Sequence, residues 1–473
     1  MMGTLRARRV VTGAAWALLP AMLVPMPALA AGVSGAELSL AWAIPFVGIL
    51  LSIALMPLFA ASLWHHHYGK IAAIWAVLFL LPFAAFFGPG AAWYEFTHVA
   101  VLEYIPFIAL LAALYTAGGG VMLKGSLVGT PGTNVALLAI GTVMASLMGT
   151  TGAAMVMIRP VLRANAFRRN KTHTFVFFIF LVANIGGSLT PVGDPPLYLG
   201  FLRGVSFFWP TTHMFSEFLL CAVLLLALYW VFDTIAWNRE KPVAPVAAKE
   251  PLSIEGWLNV ALLAAIVAVV IAMGYVKLGV VPVLGHPMEV EKLVGIALFA
   301  AITLISVYGT SPALREANGF AWGAILEVAK LFAAIFITMA PVLAILRAGS
   351  AGAAAGLVAL TSDANGVPIP WVYFWLTGAL SSFLDNAPTY IVFFELAGGD
   401  PAYLMTQGAL VLAAISCGAV FMGANSYIGN APNFMVKAIV EENGERMPSF
   451  FGYCAWAACI LVPLFVLVTF IFF

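Results

Sequence analysis

Charge is scarce in this chain. Of 473 residues, 21 are Lys or Arg and 20 are Asp or Glu, together 9%, with a net charge of +1. So sparse and balanced a set excludes the basic surfaces that hold nucleic acid. Cysteine is scarce as well. Cys221, Cys417, Cys454 and Cys459 all lie in apolar stretches without the paired spacing of a zinc site or a disulfide framework, so they read as packing residues. Apolar bulk takes the place of charge: 63% of residues are hydrophobic and mean hydropathy is +1.03, far above a soluble globular mixture. Several runs reach the roughly 20 apolar residues a helix needs to cross a hydrocarbon core. The composition predicts an all-α polytopic membrane protein whose partner is the lipid bilayer.

The first 30 residues read as a leader. Arg6, Arg8 and Arg9 form a basic region, Val10 to Met26 an apolar core, and Ala28-Leu29-Ala30 a small-residue cleavage site before Ala31. An uncleaved first helix is the alternative. From Ala31 the periodicity predicts helices over 39–60, 71–87 and 101–123, a re-entrant hairpin over 133–162, a broken helix over 174–203 and a helix over 211–236. A linker rich in Pro and charge occupies 237–254. The series then recurs with helices over 255–275, 291–309 and 321–346, a hairpin over 368–396, a broken helix over 403–438 and a helix over 449–473.

The recurrence is visible in the residues. Gly187-Ser-Leu-Thr-Pro-Val-Gly-Asp-Pro-Pro-Leu197 and Gly423-Ala-Asn-Ser-Tyr-Ile-Gly-Asn-Ala-Pro-Asn433 each interrupt an apolar run with small, polar and helix-breaking residues. Gly193 and Gly429 stand 236 residues apart, as do Gly149 and Asp385 at the hairpin centres. Glu103 pairs with Glu327, and Ser206-Phe-Phe-Trp with Ser449-Phe-Phe-Gly, at offsets of 224 and 243 residues. Each half, 31–236 and 255–473, therefore reads as five spans, one of them broken, plus a hairpin. An odd number of spans makes the second half enter the membrane from the opposite side, as an inverted-topology repeat. Duplicated broken helices are the sequence sign of a secondary transporter.

Charge placement agrees with this topology. With the N-terminus of residue 31 outside, Lys70, Lys124, Arg163, Arg168, Arg169, Lys171, Arg239, Lys241, Lys249, Arg315 and Arg446 fall inside, and only Arg203, Lys277, Lys292 and Arg347 fall near the outer ends. The orientation suits a multi-pass protein of a bacterial-type inner membrane. Glu103, Glu327 and Lys330 lie on the third helix of each half, where Glu327 and Lys330 are spaced to pair and suit a scaffold role. Glu395, near the outer end of the second hairpin, is expected to reach water. The run His65-His66-His67 reads as an interfacial face.

Ala183-Asn-Ile-Gly-Gly-Ser-Leu-Thr-Pro-Val-Gly-Asp-Pro-Pro196, Ser382-Phe-Leu-Asp-Asn-Ala-Pro-Thr389 and Gly429-Asn-Ala-Pro-Asn433 together resemble the ion transporter superfamily. That group holds NhaD-type sodium/proton antiporters, arsenite permeases and citrate and dicarboxylate transporters. The likeness is nearest to the set described as citrate transporters or sodium:proton antiporters. It implies a scaffold that forms a homodimer and a transport body of hairpins and broken helices that moves as an elevator. It implies no enzymatic activity and no cofactor, with Na+ and H+ as the transported ions or a small carboxylate as cargo.

A helix that stops in mid-membrane presents free N–H groups at the start of its second half and free carbonyls at the end of its first. Gly187, Gly193, Gly423 and Gly429 mark these breaks. Thr150, Thr151, Thr190 and Ser426 offer oxygens that suit a small hard cation, and Asn184, Asn386, Asn425 and Asn430 can donate or accept, as can Thr389. The same residue types also satisfy local backbone at a break, and for each one alone the two readings stand level. Intramembrane acids are functional by default. Asp385, at a hairpin tip, is the expected carrier of Na+ and H+ in turn, with Thr150 and Ser426 completing a sodium site. For Asp194, followed by Pro195 and Pro196, helix capping and ion binding remain equally open. An acid at the tip favours sodium/proton antiport; the first hairpin, Met148-Gly-Thr-Thr-Gly152, carries none and keeps sodium- or proton-coupled citrate or dicarboxylate symport as the alternative. An intramembrane aspartyl protease is remote, because Pro191-Val192-Gly193-Asp194 lacks the first glycine of a Gly-x-Gly-Asp motif and the repeat would go unexplained.

Overall fold

The computed structural model describes residues 33–243 and 250–473. The expected leader, residues 1–30, lies outside the described residues, as do residues 244–249 of the expected linker. Among the described residues ten helices are long and apolar enough to cross a membrane. Four short strands form two antiparallel pairs, Met122–Lys124 with Ser253–Glu255 and Val280–Val283 with His286–Glu289. These pairs are an addition to the all-α expectation, and each lies in a connection between spans.

The first half begins with α1 (Ile44–Phe59), α2 (Ala61–Phe87) and α3 (Pro89–Gly118). The second and third start about ten residues earlier than the sequence predicts. The His65–His67 run, which falls between the first two expected helices, is a continuous part of α2, and the true punctuation is Gly88, at φ +92°, followed by Pro89 in the first turn of α3. Residues Ala100–Tyr104 of α3 form a π-helical turn that includes Glu103. The hairpin follows as α4 (Pro131–Met148) and α5 (Thr150–Ala164), then the broken helix as α6 (Thr172–Leu181), a 3-10 turn over Ile185–Leu189 and α7 (Pro195–Leu202). Helix α8 (Phe215–Glu240) closes the half.

The second half runs α9 (Trp257–Tyr275), α10 (Val290–Gly309) and α11 (Trp322–Arg347), then a hairpin of α12 (Pro370–Ser381) and α13 (Asn386–Leu396). The second broken helix is α14 (Ala409–Met422), a turn over Gly423–Asn425 and α15 (Ala431–Glu442), and the last span is α16 (Phe450–Phe472). The expected start at 403 belongs instead to a separate short helix, Pro401–Met405, capped by the Asp400 carboxylate on the Ala402 N–H.

The helices sort into two packed groups. Helix α10 packs on α3, α9 on both, and α11 on α1 and α2. The hairpins and broken helices pack on one another, with α12 against α14, α4 against α5 and α7 against α13. Helix α6 lies at the centre of the second group: every residue from Phe175 to Leu181 is fully buried. It is apolar on all sides, as a helix surrounded by other helices must be. The Thr172–Leu189 span is 83% buried, against 22% for the outlying α2. Exposed Phe59, Phe86, Phe451 and Phe470 face outward on peripheral helices, where lipid replaces water as the solvent. Without a hydrophobic drive between helices in lipid, the close packing of small and aromatic residues and a few buried polar contacts hold the bundle together.

Candidate functional site

The two broken helices are built alike. Thr190 Oγ1 donates to the Ser146 carbonyl and Ser426 Oγ to the Ser382 carbonyl, the same bond at positions 236 residues apart. Ser146 Oγ donates to the Gly186 carbonyl, and its counterpart Ser382 Oγ to the Met422 carbonyl. In each half, therefore, a hairpin arm is pinned to a broken helix by the hydroxyls of one serine and of one residue of the break. The breaks also demand glycine at equivalent points. A Cβ on Gly193 would collide with the Gly187 carbonyl, and one on Gly429 with the Gly423 and Ser381 carbonyls. The chain folds back so tightly there that backbone approaches backbone.

Four helix starts follow these breaks. Gly149 precedes α5, Asp194 precedes α7, Asp385 precedes α13 and Asn430 precedes α15. All four N-cap residues line one cavity of about 110 Å³. Each helix start brings the positive end of its dipole, about half a charge. At α7, however, Pro195 and Pro196 have no N–H and that of Leu197 is bonded to the Asp194 carbonyl, and the Thr150 and Ala387 N–H groups are bonded to the Gly193 carbonyl and Asp385 Oδ1. The cavity's other wall comes from the first group of helices: Leu110, Leu114 and Tyr115 of α3, and Ile325, Val328 and Phe332 of α11. Among the described residues lining it, only Asp194 and Asp385 carry charge, so two carboxylates face four half-charges of opposite sign.

The two acids differ in their surroundings. Asp194 is 2% exposed. Its Oδ1 accepts from Thr150 Oγ1 at 2.8 Å and from Asn430 Nδ2 at 3.2 Å, and its Oδ2 accepts from Asn386 Nδ2. These donors come from both hairpins and from the opposite broken helix. Although Asp194 stands at the N-cap of α7, its carboxylate makes no cap bond. The capping left open for Asp194 is made instead by Asp385, whose Oδ1 accepts from the Ala387 N–H at 3.0 Å. Asp385 is only partly buried, and Thr389 Oγ1 donates to its carbonyl at 3.0 Å. The difference is physical: Pro196 has no N–H at the place where Ala387 offers one to Asp385, and three side-chain donors from other segments take up the Asp194 carboxylate instead.

Of the other residues singled out in the sequence, Thr150, Thr151 and Asn430 line the cavity, and Asn386 reaches it through Asp194. Thr190, Asn184, Asn425 and Ser426 lie behind it in the breaks. Asn184 Nδ2 donates to the Ile179 carbonyl and to Asn433 Oδ1, and Asn425 Nδ2 donates to Ser382 Oγ. Ser426 spends its hydroxyl proton on the Ser382 carbonyl and does not line the cavity with Asp385 and Thr150. Asn433 carries more than the sequence suggested. Its Nδ2 donates to the Gly423 and Ser426 carbonyls while its Oδ1 receives Asn184, which ties the two breaks together. The cue was present in the second motif, where Asn433 stands two residues after the helix start. Two amide oxygens, Asn386 Oδ1 and Asn425 Oδ1, are buried without a partner among the described residues. Unpaired buried acceptors are costly, and a cation satisfies them.

Glu395 is a correction. Expected to reach water, it is 1% exposed and lies between Arg203 and Arg347. The Glu327–Lys330 pair is not formed among the described residues; Lys330 sits over the Tyr68 ring instead, 5.3 Å from its centroid. Arg168, counted in sequence only as an inner-side charge, is fully buried against Asp233.

A family model described as putative citrate transport matches residues 35–473, and the chain belongs to that family. With ten helices long and apolar enough to cross a membrane among its described residues, it is a multi-pass membrane transporter and not an enzyme. No curated protein matches the chain.

Proposed function

We propose that this transporter is a sodium/proton antiporter in which Asp194 is the shared carrier and Asp385 the second acid of the site. The observation that carries this reading is the charge of the cavity lining: two carboxylates and no basic side chain among the described residues. The lining offers an anionic substrate no basic side chain, whereas a cation meets Asp194, Asp385 and the hydroxyl oxygens of Thr150 and Thr151. Exchange follows from competition. Sodium binding to the carboxylate releases its proton, and protonation releases sodium, so the empty charged site does not cross. Crossing with neither ion would drag an uncompensated carboxylate past the apolar wall of α3 and α11, which is costly.

The matched Ser146/Thr190 and Ser382/Ser426 bonds support two inverted-topology repeats whose breaks meet at one site. The division into two packed groups supports an elevator in which hairpins and broken helices slide against α3 and α11. In this reading the protein sits in a bacterial-type inner membrane as a homodimer joined through the six-helix scaffold.

Citrate or dicarboxylate symport is the second reading. The convergence of four helix starts on the cavity favours it, together with the family's description. There the two aspartates hold the coupling cations, which in turn offset the substrate's charge.

Purified protein in liposomes with a trapped pH dye separates the two. Proton movement on adding sodium or lithium, lost in Asp194→Asn, supports antiport. A response only to citrate or succinate overturns it in favour of symport.

A further inference from the structure

Helices α3 and α11 form one seam with two cavities along it. The site cavity faces Leu110 to Tyr115 of α3 and Ala324 to Phe332 of α11. A second cavity of about 490 Å³ lies farther along the same helices, against Tyr94 to Glu103 of α3 and Phe336 to Arg347 of α11. Glu103 and Leu114 are 11 residues apart in sequence, which is about 16 Å of helix. The charge bias places the second cavity toward the outer face and the site cavity toward the inner one.

At the second cavity, which Glu103 and Arg347 line, four charged residues from four elements bridge the two packed groups. Arg203, just past α7, donates through Nη2 to Glu103 Oε1 at 3.0 Å and through Nε to Glu395 Oε1 at 3.2 Å. Arg347, at the end of α11, grips Glu395 with two bonds of 2.7 and 2.8 Å. Glu103 and Arg347 belong to the scaffold group; Arg203 and Glu395 belong to the group that carries the site. Glu395 is 1% exposed, so its charge depends on both arginines. Glu103 reaches this position from a π-helical turn, an irregularity that re-aims side chains and clusters at functional places. Two of the three links cross the seam, and sliding one group past the other must break both.

We infer that Glu103, Arg203, Glu395 and Arg347 form a latch that holds the site at the inner half of the seam, and that its opening lets the site move to the outer half. The inference rests on the moving-body reading but not on the identity of the cargo. The latch acts on the position of the body, so its residues set the balance between the two stations and never touch the transported ion. With Glu103 neutralised, one crossing link is lost while Arg347 still satisfies Glu395, so the outer station gains population without leaving a bare buried charge.

The test reads position directly. In a protein whose four cysteines are replaced by serine, Met435→Cys puts a thiol on the site-cavity wall of α15, and a membrane-impermeant maleimide is applied to vesicles from either side. Glu103→Gln is expected to raise outside labelling roughly fivefold and to lower inside labelling, with Glu103→Asp restoring the original pattern. Unchanged labelling from both sides in folded Glu103→Gln and Arg347→Gln proteins overturns the latch. Where the variants do not fold, Glu103→Cys with Arg203→Cys joined by a short bis-thiol reagent serves instead: transport is expected to stop, and transport unaffected by the crosslink overturns the inference. If Met435→Cys labels from the inside alone under every condition, in protein that still transports, the moving-body reading fails and the latch fails with it.

Discussion

Asn386 donates its side-chain N–H to Asp194 across 192 residues of sequence, joining the tip of the second hairpin to the break of the first half. With Thr150 and Asn430 also donating, the Asp194 carboxylate is the point where three otherwise separate segments meet. Removing its acceptor capacity therefore has both a functional and a structural effect.

Asp194→Asn is expected to abolish sodium-driven proton movement, because an amide cannot exchange a proton for a cation. The new amide also turns a donor toward Thr150, Asn386 or Asn430, at a cost of about 1–3 kcal/mol. Dye-loaded liposomes and thermal unfolding in detergent measure the two effects, and wild-type exchange in the variant would remove Asp194 from the mechanism.

At Asp385 the cap and the charge separate. Asn caps a helix about as well as Asp, whereas Ala loses about 1 kcal/mol. Asp385→Asn should unfold at the wild-type temperature but require several-fold more sodium for half-maximal exchange, and Asp385→Ala should lose stability as well. Equal sodium dependence in the wild type and the Asn variant would leave Asp385 as a cap alone.

Gly193→Ala places a methyl group against the Gly187 carbonyl, and Gly429→Ala does so against Gly423. Each is expected to destabilise by about 1–3 kcal/mol as the backbone moves apart and to stop transport at the same time. Gly132→Ala, at a position whose Cβ meets nothing within 4 Å, is the control and should unfold at or above the wild-type temperature.

The Arg168–Asp233 pair is buried on both sides, with Asn134 and His173 also bonded to Asp233. Asp233→Ala leaves the guanidinium buried and unpaired, and a loss of about 3–5 kcal/mol is expected. Arg168→Met together with Asp233→Leu should recover much of it. Thermal unfolding of the single and double variants decides the point.

His286, in the strand pair between α9 and α10, is fully buried; its Nε2 lies 2.8 Å from Thr97 Oγ1 and its ring beside His98. Burial first, then the nearby His98, pushes its pKa from 6.5 down to about 4. The folded state therefore prefers the neutral ring. Its contribution is complete above pH 6.5 and is lost as pH falls toward 4. Proteolysis near residues 280–289 should speed up over that interval, and His286→Asn should flatten the dependence.

The residues differ in how legible they were. Gly149 and the 236-residue spacing announced both hairpin centres and both breaks, because Gly, Pro and short polar residues interrupt an apolar run wherever they stand. The start of α2 was misplaced because three adjacent histidines look like an end to a pattern reading, although a helix accommodates them. Burial of Glu395 was not legible, since its partners Arg203 and Arg347 lie 192 and 48 residues away. Asn433 shows the same limit: its amide spans two breaks that sequence order keeps 249 residues from one another.

By itself the sequence determined the membrane class and the place of the interruptions. Those follow from apolar length and from the backbone chemistry of Gly and Pro, which act within a few residues. Which acid stands free of its own helix was local: Ala387 gives Asp385 an N–H two residues on, and Pro196, at the equivalent place after Asp194, has none. Tertiary structure alone decided what the free carboxylate meets. Its three donors, Thr150, Asn386 and Asn430, come from both hairpins and the opposite break, and no short-range pattern brings them together.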